Sequence, residues 1–324
     1  MKAVRIHETG SPEVLRYEDV PAPVPGQGQA LVRLRAAGVN FLDIYHRTGL
    51  TPVQLPFTLG SEGAGVVEAV GPGVAEVQPG DRVAYTNVLG SYAQSVVAPA
   101  WRLVPIPPQL DFVQAAAAML QGMTAHYLVH TTYPLQPGEW ALVHAAGGGV
   151  GALLVQMAKR AGAQVIATVS TDAKAEIARA SGADHVVNYA EADFDTEAKR
   201  LTEGEGVHVV YDSVGKDTFA QSLNALRLRG MMVLYGSSSG PVPALSPMTL
   251  NQRGSLFLTR PSLHHYTHTR DELLQRAWDV LGWVSSGELR LRIDRTYPLA
   301  QAAAAHRRLE GREALGKLVL LIDQ

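Results

Sequence analysis

The sequence predicts an α/β protein in which a doubly wound parallel sheet accompanies a β-rich domain. Three observations carry this. The first third of the chain is strand-like and broken by glycine and proline. Beyond Pro108, short apolar runs alternate with helical patterns, as in a parallel sheet built from βαβ units. Between one apolar run and the next helix lies a glycine turn, HAAGGGVGA at 144–152.

The elements follow in order. Residues 2–6, 14–20 and 30–39 read as strands separated by turn material such as PAPVPGQG, and 64–70 and 82–86 continue the pattern. Asp111 is placed to cap an alanine-rich helix running toward Tyr133. Residues 140–145 form a strand, 150–161 a helix and 164–169 a strand. Asp172 then opens and caps a helix ending near Gly182. Short strands are expected at 185–188, 207–212 and 230–235, helices at 270–285 and 300–309, and a last strand at 317–322.

Composition narrows the function. The chain has 324 residues, 46% of them hydrophobic, and a formal net charge of −2. That fits one large or two moderate globular domains with no broad attraction to nucleic acid or anionic membranes. Zero cysteine excludes disulfides, thiolate nucleophiles, iron–sulfur clusters and zinc sites built on Cys. The first fifteen residues carry charges and a Gly-Ser-Pro break and lack the apolar core of a leader. The 19 residues 140–158 hold no Asp, Glu, Lys or Arg, yet Gly147 to Gly149 interrupt them, so strand, turn and helix explain them better than a membrane span.

The glycine turn fits a dinucleotide fingerprint in two registers. Gly147, Gly149 and Ala152 give G-x-G-x-x-A; Ala146, Gly148 and Gly151 give a variant with alanine first. Either lets the backbone approach a pyrophosphate at a helix N-terminus. About twenty residues on, NAD sites usually place a carboxylate at the end of the second strand to bond the ribose hydroxyls. Here that strand ends in Ser170, with Lys174 close behind. Without a repelling carboxylate, these two favour the 2′-phosphate of NADPH.

Longer strings then become recognisable: AAGVNFLDIYHRTG at 36–49, LGSEGAGVVEAVGPGV at 59–74, PGDRVAY at 79–85, HAAGGGVG at 144–151, VVYDSVG at 209–215, YGSSSG at 235–240 and LTRPSL at 258–263. They span nearly the whole chain. The sequence resembles the zinc-free NADPH:quinone oxidoreductase (zeta-crystallin-like) family of the medium-chain dehydrogenase/reductase superfamily. The resemblance implies a GroES-like catalytic domain at 1–122 and 265–324 and a Rossmann NADPH-binding domain at 123–264. Zinc-dependent members of that superfamily carry a Gly-His-Glu motif, whereas this chain has Gly60-Ser61-Glu62. No metal is expected. His126 and His130 lack the glutamate of HExxH, and no carboxylate partner is evident for His264, His265 and His268. Glu62, with no metal to tune, reads as structural.

The resemblance implies site residues. Asn40 and Tyr45 match the family's active-site pair, Asn40 also touching the cofactor. Tyr133 matches a tyrosine of the cofactor cleft, and Gly148, Gly149 and Val150 match the pyrophosphate turn. Ser170, Lys174 and Tyr189 match the 2′-phosphate pocket. Ser213, Tyr235, Gly236, Ser237 and Thr259 lie where strand ends meet the cofactor, and Lys317, after Gly316, approaches the same place. Two departures stand out: Thr51 where relatives often have an aromatic residue, and Gln121 where they often have lysine. The expected activity is metal-free hydride transfer from NADPH to a quinone. The alternative is reduction of an enone or enal, and an RNA-binding or structural role ranks below both because no basic stripe with interleaved aromatics is present. A cytoplasmic homodimer or homotetramer is expected, with 248–258 as a candidate sheet edge for association.

Overall fold

The computed structural model describes residues 1–323. The chain divides into two units, Met1–Leu120 with residues 267–324, and Gln121–Tyr266. In order it forms β1 (Lys2–Ile6), β2 (Arg16–Asp19), β3 (Gln29–Val39), α1 (Phe41–Thr48), β4 (Phe57–Thr58), β5 (Glu62–Val70), β6 (Arg82–Thr86), β7 (Ser95–Pro99), β8 (Val104–Pro105) and α2 (Phe112–Tyr127). There follow β9 (Trp140–Val143), α3 (Gly149–Arg160), β10 (Gln164–Val169), α4 (Asp172–Ala180), β11 (His185–Asn188), α5 (Phe194–Leu201), β12 (Val207–Asp212), α6 (Phe219–Ala225) and β13 (Leu226–Leu234). The last elements are α7 (Pro247–Gln252), β14 (Phe257–Thr259), α8 (Arg270–Ser286), β15 (Ile293–Pro298), α9 (Ala302–Glu310) and β16 (Lys317–Leu321).

The first unit carries a three-stranded sheet, β2-β1-β4, and a seven-stranded one ordered β15-β16-β3-β5-β6-β8, with β7 also pairing β3. The chain's last strand, β16, is interior to the larger sheet, antiparallel to β3 and parallel to β15. Inward-facing residues of β3 (Ala30, Val32, Leu34) and β16 (Leu318, Leu320) share one core with Ile6, Leu59 and Tyr85. Burial of these alternating residues removes apolar area from water at about 25 cal/mol per Å² and fixes the register, since a one-residue slip would turn the whole set outward.

The second unit is a six-stranded parallel sheet in the order β11-β10-β9-β12-β13-β14. Numbered within the unit this is 3-2-1-4-5-6, the dinucleotide-binding order, with its switch point between β9 and β12. The strands are apolar on both faces, as a parallel sheet covered by helices requires: Ala141, Leu142 and Val143 on β9 and Val165 to Ala167 on β10 are fully buried.

Several elements differ from the sequence expectation, each for a local reason. Pro12 starts a single 3-10 turn over Pro12–Val14, so the strand expected at 14–20 begins only at Arg16. Asp111 does cap α2: its Oδ1 accepts from the Gln114 N–H at 2.7 Å while its own N–H donates to Gln114 Oε1 at 3.1 Å. Asp172 does not cap α4. Thr171 holds that position, its Oγ1 accepting from the Lys174 N–H, and Asp172 is the first helical residue. The segment 248–258 is not one strand. Pro247 and the Ser246 cap open α7, and only Phe257–Thr259 joins the sheet, as its outer strand. Strand β9 ends at Val143 rather than residue 145, because Ala145 takes a left-handed φ of 50° to enter the glycine turn.

Candidate active site

In the first unit, strand register assembles the reactive side chains. Leu318 pairs with Val39 and Ala37 with Gly63, so Lys317, Asn40 and Glu62 stand together at the ends of β16, β3 and β5. All three are buried. Asn40 Nδ2 donates to Glu62 Oε2 at 2.6 Å and makes a longer contact of 3.4 Å to the Gly38 carbonyl. Lys317 Nζ donates to Asn40 Oδ1 and to Glu62 Oε2, both at 2.8 Å. Glu62 Oε1 accepts from the Leu120 N–H at 3.2 Å. Gly38 makes the arrangement possible. A Cβ there would stand 2.6 Å from the Glu62 carboxylate and 2.8 Å from Lys317 Cε.

Asn40 also opens α1, its backbone N–H donating to Asp43 Oδ2 at 2.9 Å. Tyr45 lies on the same helix, half-buried, its ring 6.3 Å from that of Phe41. Below them sits a second polar group that the sequence reading missed. Tyr92 Oη donates to Asp43 Oδ2 at 3.0 Å and lies 3.1 Å from His306 Nε2, and Ser61 Oγ donates to Asp43 Oδ1 at 3.3 Å. Burial pushes the Asp43 carboxyl up to about 7, against the opposing pull of the Asn40 N–H, Tyr92 and Lys317. Burial, helped by Arg47, pushes His306 down to about 3. Ser61, in the place expected of a ligand histidine, spends its hydroxyl on Asp43.

The second unit holds the nucleotide features. Gly148 is the N-cap of α3, with extended φ and ψ and no side-chain cap hydrogen bond, so the N–H groups of Gly149, Val150 and Gly151 have no partner within the helix, and the Gln121 amide lies against Gly149. The structure decides between the two fingerprint registers. A Cβ on Gly151 would strike the Ala145 backbone, whereas Ala152 is accommodated. Close helix–strand packing is the task of the third fingerprint glycine, so the register is Ala146, Gly148, Gly151. A Cβ on Gly147 would meet Lys174 Cβ at 2.6 Å, which sets the start of α4 against the turn. Lys174 Nζ donates to Ser170 Oγ at 3.3 Å. Tyr189, 39% exposed, follows β11 where Asn188 pairs with Val169, beside Ser170.

Ser213, Tyr235 and Thr259 stand at the C-terminal ends of adjacent strands β12, β13 and β14, where ligands of such sheets bind. The N–H groups of Tyr235 and Gly236 both donate to the Asp212 carbonyl, and a Cβ on Gly236 would meet the Ser213 carbonyl oxygen at 2.5 Å. Ser237 follows, its carbonyl accepting from the Gly240 N–H at 3.0 Å. The buried Tyr235 hydroxyl makes no well-formed hydrogen bond among the described residues; burial raises its pKa, and a weak hydrogen bond with Ser213 offsets part of the rise. Tyr133, after a π-turn over Leu128–Thr132, donates to Glu139 Oε1 at 3.0 Å. A helix end with no side-chain cap bond, a glycine turn and a Ser–Lys pair at the end of β10 fit a dinucleotide bearing a 2′-phosphate.

Beneath this edge lies a network the sequence reading also missed. His144 Nδ1 lies 2.7 Å from Thr168 Oγ1 and its Nε2 lies 2.9 Å from Ser222 Oγ. Asp212 Oδ1 accepts the N–H groups of Val214 and Gly215, and its Oδ2 accepts the Thr218 hydroxyl at 2.7 Å. Both residues carried a legible signal: His144 and Asp212 are polar ends of otherwise apolar strand runs.

The histidines resolve individually. The rings of His126 and His130 lie 4.6 Å apart. His268 does have a carboxylate partner, Glu272 at 2.7 Å one helical turn on. Among the described residues, no group of three or more His, Cys, Asp or Glu side chains is arranged to hold a metal ion.

Residues 26–108 match the alcohol dehydrogenase GroES-like domain family and residues 149–279 the zinc-binding dehydrogenase family. The chain is 45% identical to a 2-haloacrylate reductase of a Burkholderia species, over 98% of each chain. It is equally 45% identical to a quinone oxidoreductase of Pseudomonas aeruginosa, over 99% of each. Among solved structures, Escherichia coli quinone oxidoreductase complexed with NADPH superposes with a TM-score of 0.97 at 42% identity, covering 99% of this chain and 100% of that one.

Proposed function

The chain belongs to the quinone oxidoreductase family of the medium-chain dehydrogenase/reductase superfamily, and on that footing we propose that it reduces quinones with NADPH. The observation that carries the cofactor choice is the Ser170–Lys174 contact at the end of β10, where other dinucleotide sites place a carboxylate. When bound, NADPH supplies a hydride from C4 of its nicotinamide, which a quinone ring accepts without prior activation by a metal.

The protein's residues bind, orient and exclude water. Gly148, Gly149 and Val150 offer the pyrophosphate the open end of α3. Lys174 and Ser170 hold the 2′-phosphate, with Tyr189 beside them. The Tyr235 hydroxyl, beside Ser213 at the strand ends, offers a further polar contact to the cofactor. In the first unit, Asn40 and Tyr45 orient the acceptor, the Asn40 amide donating to the carbonyl oxygen as negative charge develops there. A cytoplasmic setting and a homodimer or homotetramer complete the proposal. The first rests on the resemblance alone. The second also has the outer strand β14, with Phe257 and Leu258 exposed, as a sheet edge able to take another strand.

Reduction of an electron-poor C=C bond is a second reading, supported by the 45% identity to a 2-haloacrylate reductase. NADPH oxidation followed with a panel of quinones and α,β-unsaturated carbonyls separates the two: faster turnover of quinones supports the first, and turnover of unsaturated carbonyls alone supports the second. Lys174→Ala should weaken NADPH binding about 10- to 100-fold, the worth of one charge-assisted contact, and leave NADH binding unchanged. Equal wild-type affinity for the two cofactors would refute the 2′-phosphate assignment.

A further inference from the structure

Lys317 and Glu62 form an ion pair that is 2% and 0% exposed at its side chains, between two strands of a β-sheet. Such a pair is a poor source of stability, because the cost of removing two charges from water is of the same order as their attraction, and apolar residues of similar volume often serve as well. The pair nevertheless has a well-defined geometric effect, and that effect falls on Asn40. The ammonium meets the carbonyl end of the amide and the carboxylate meets its NH2 end. Turning the amide over would face N–H donors toward an ammonium and a carbonyl oxygen toward a carboxylate, two repulsions at contact distance. The two charges therefore fix which way the amide points, a choice that a neutral pocket leaves open. They also polarise it along its own dipole, strengthening its N–H groups as donors. Nδ2 has two hydrogens. One is committed to Glu62 at 2.6 Å, and the other reaches only the Gly38 carbonyl at 3.4 Å, beyond the ordinary range for such bonds.

We propose that Glu62 and Lys317 are positioning residues that clamp the Asn40 amide so that its second Nδ2 hydrogen is presented to the acceptor oxygen. This rests on the reading of Asn40 as the group that orients the acceptor. It assigns a task to Glu62 and gives Lys317 one on the acceptor side of the reaction. Gly38 belongs to the same device, since only a residue without Cβ leaves room for the two charges to meet beneath the amide.

Removing one charge leaves the other buried and unpaired, so single variants confound folding with function. The informative variant removes both, Glu62→Gln with Lys317→Met, which leaves no net buried charge and keeps the volumes close. The clamp predicts that this variant retains the wild-type melting temperature within a few degrees and still binds NADPH by fluorescence titration, so that kcat can be measured at saturating cofactor. Its kcat should fall on the order of 10²-fold, with a much smaller change in KM, as when a transition-state donor is lost. Adding Asn40→Ala should lower kcat no further than Asn40→Ala alone, because the clamp acts only through that amide. A folded double variant with wild-type kcat, or effects that multiply in the triple variant, would overturn the proposal. A variant that does not fold leaves the decision to the wild type itself. The side-chain NH2 of Asn40, identified by its loss in Asn40→Ala, should have one proton shifted strongly downfield and protected from solvent exchange by the Glu62 bond. Two protons with the shifts and exchange of an exposed asparagine amide would equally overturn it. A protein that binds NADPH yet reduces neither quinones nor unsaturated carbonyls refutes the proposed reaction instead, and the amide spectrum still decides whether the clamp exists.

Discussion

The two units each bury a polar cluster, and they do so with different materials. In the first, Glu62 and Lys317 are buried against the Asn40 amide, and Asp43 and His306, from helices α1 and α9, are buried against the Tyr92 hydroxyl. In the second, His144 is bracketed by the hydroxyls of Thr168 and Ser222, and Asp212 is satisfied mostly by backbone N–H groups and hydroxyls. A network closed by backbone N–H groups and hydroxyls holds no ion pair and rigidifies a loop. One built on an ion pair is costly and is expected where charge develops during reaction. The contrast separates a region that shapes a binding edge from a region that does chemistry.

The sharpest way to break the contrast is to unbalance each cluster by one group. Lys317→Met should lower unfolding free energy by about 3–5 kcal/mol, because a buried carboxylate loses its counter-charge. Gly38→Ala comes next. Its methyl would strike that same pair, and the loss should be about 1–3 kcal/mol by denaturant titration, as for an overpacked core. Ser222→Ala in the second unit removes the partner of His144 Nε2 and a long 3.4 Å contact to Asp212, whose Oδ2 keeps the Thr218 hydroxyl, and about 1–2 kcal/mol is expected. Equal losses for Lys317→Met and Ser222→Ala would erase the distinction.

A smaller effect concerns pH. Asp43 stays protonated up to about 7 in the fold but ionises near 3.8 once unfolded, so its contribution is full below that value and is lost as pH rises to 7. His306 stays neutral down to about 3 in the fold, and its contribution, full above 6.5, is lost as pH falls. Between roughly pH 4 and 6.5 the two slopes oppose each other. Melting temperature should therefore gain a rising trend with pH in Asp43→Asn and a falling one in His306→Gln, relative to wild type. Parallel pH profiles for all three proteins would show that neither group is perturbed as described.

Much of the second unit was legible in the sequence, because its signals are local. The glycine turn, the helix after it and the Ser170–Lys174 spacing lie within about thirty residues of one another. The fingerprint register was not legible, because both frames satisfy the glycine spacing and only the approach of Gly151 to the Ala145 backbone distinguishes them. The first unit's cluster was out of reach for a different reason. Asn40 and Lys317 are 277 positions apart, and Tyr92 and His306 are 214 apart, so no window of sequence contains either pair. A trace existed nonetheless. Glu62 in GSEGAGVV and Lys317 in GKLVLL are single charges in apolar strand runs, and a lone charge in such a run needs a partner.

The interior position of β16 also has a consequence for biosynthesis. The second unit is one continuous stretch and can complete its sheet as soon as residue 266 has left the ribosome. The first unit cannot. Until the final segment emerges, β3 lacks its neighbour on that side and Glu62 lacks its counter-charge. During elongation the nascent chain therefore exposes an unpaired strand edge while an entire second unit is made. Strand β16 closes that edge and delivers Lys317 in the same step, so the side chain that completes the polar cluster arrives with the strand that ends the vulnerability to misassembly.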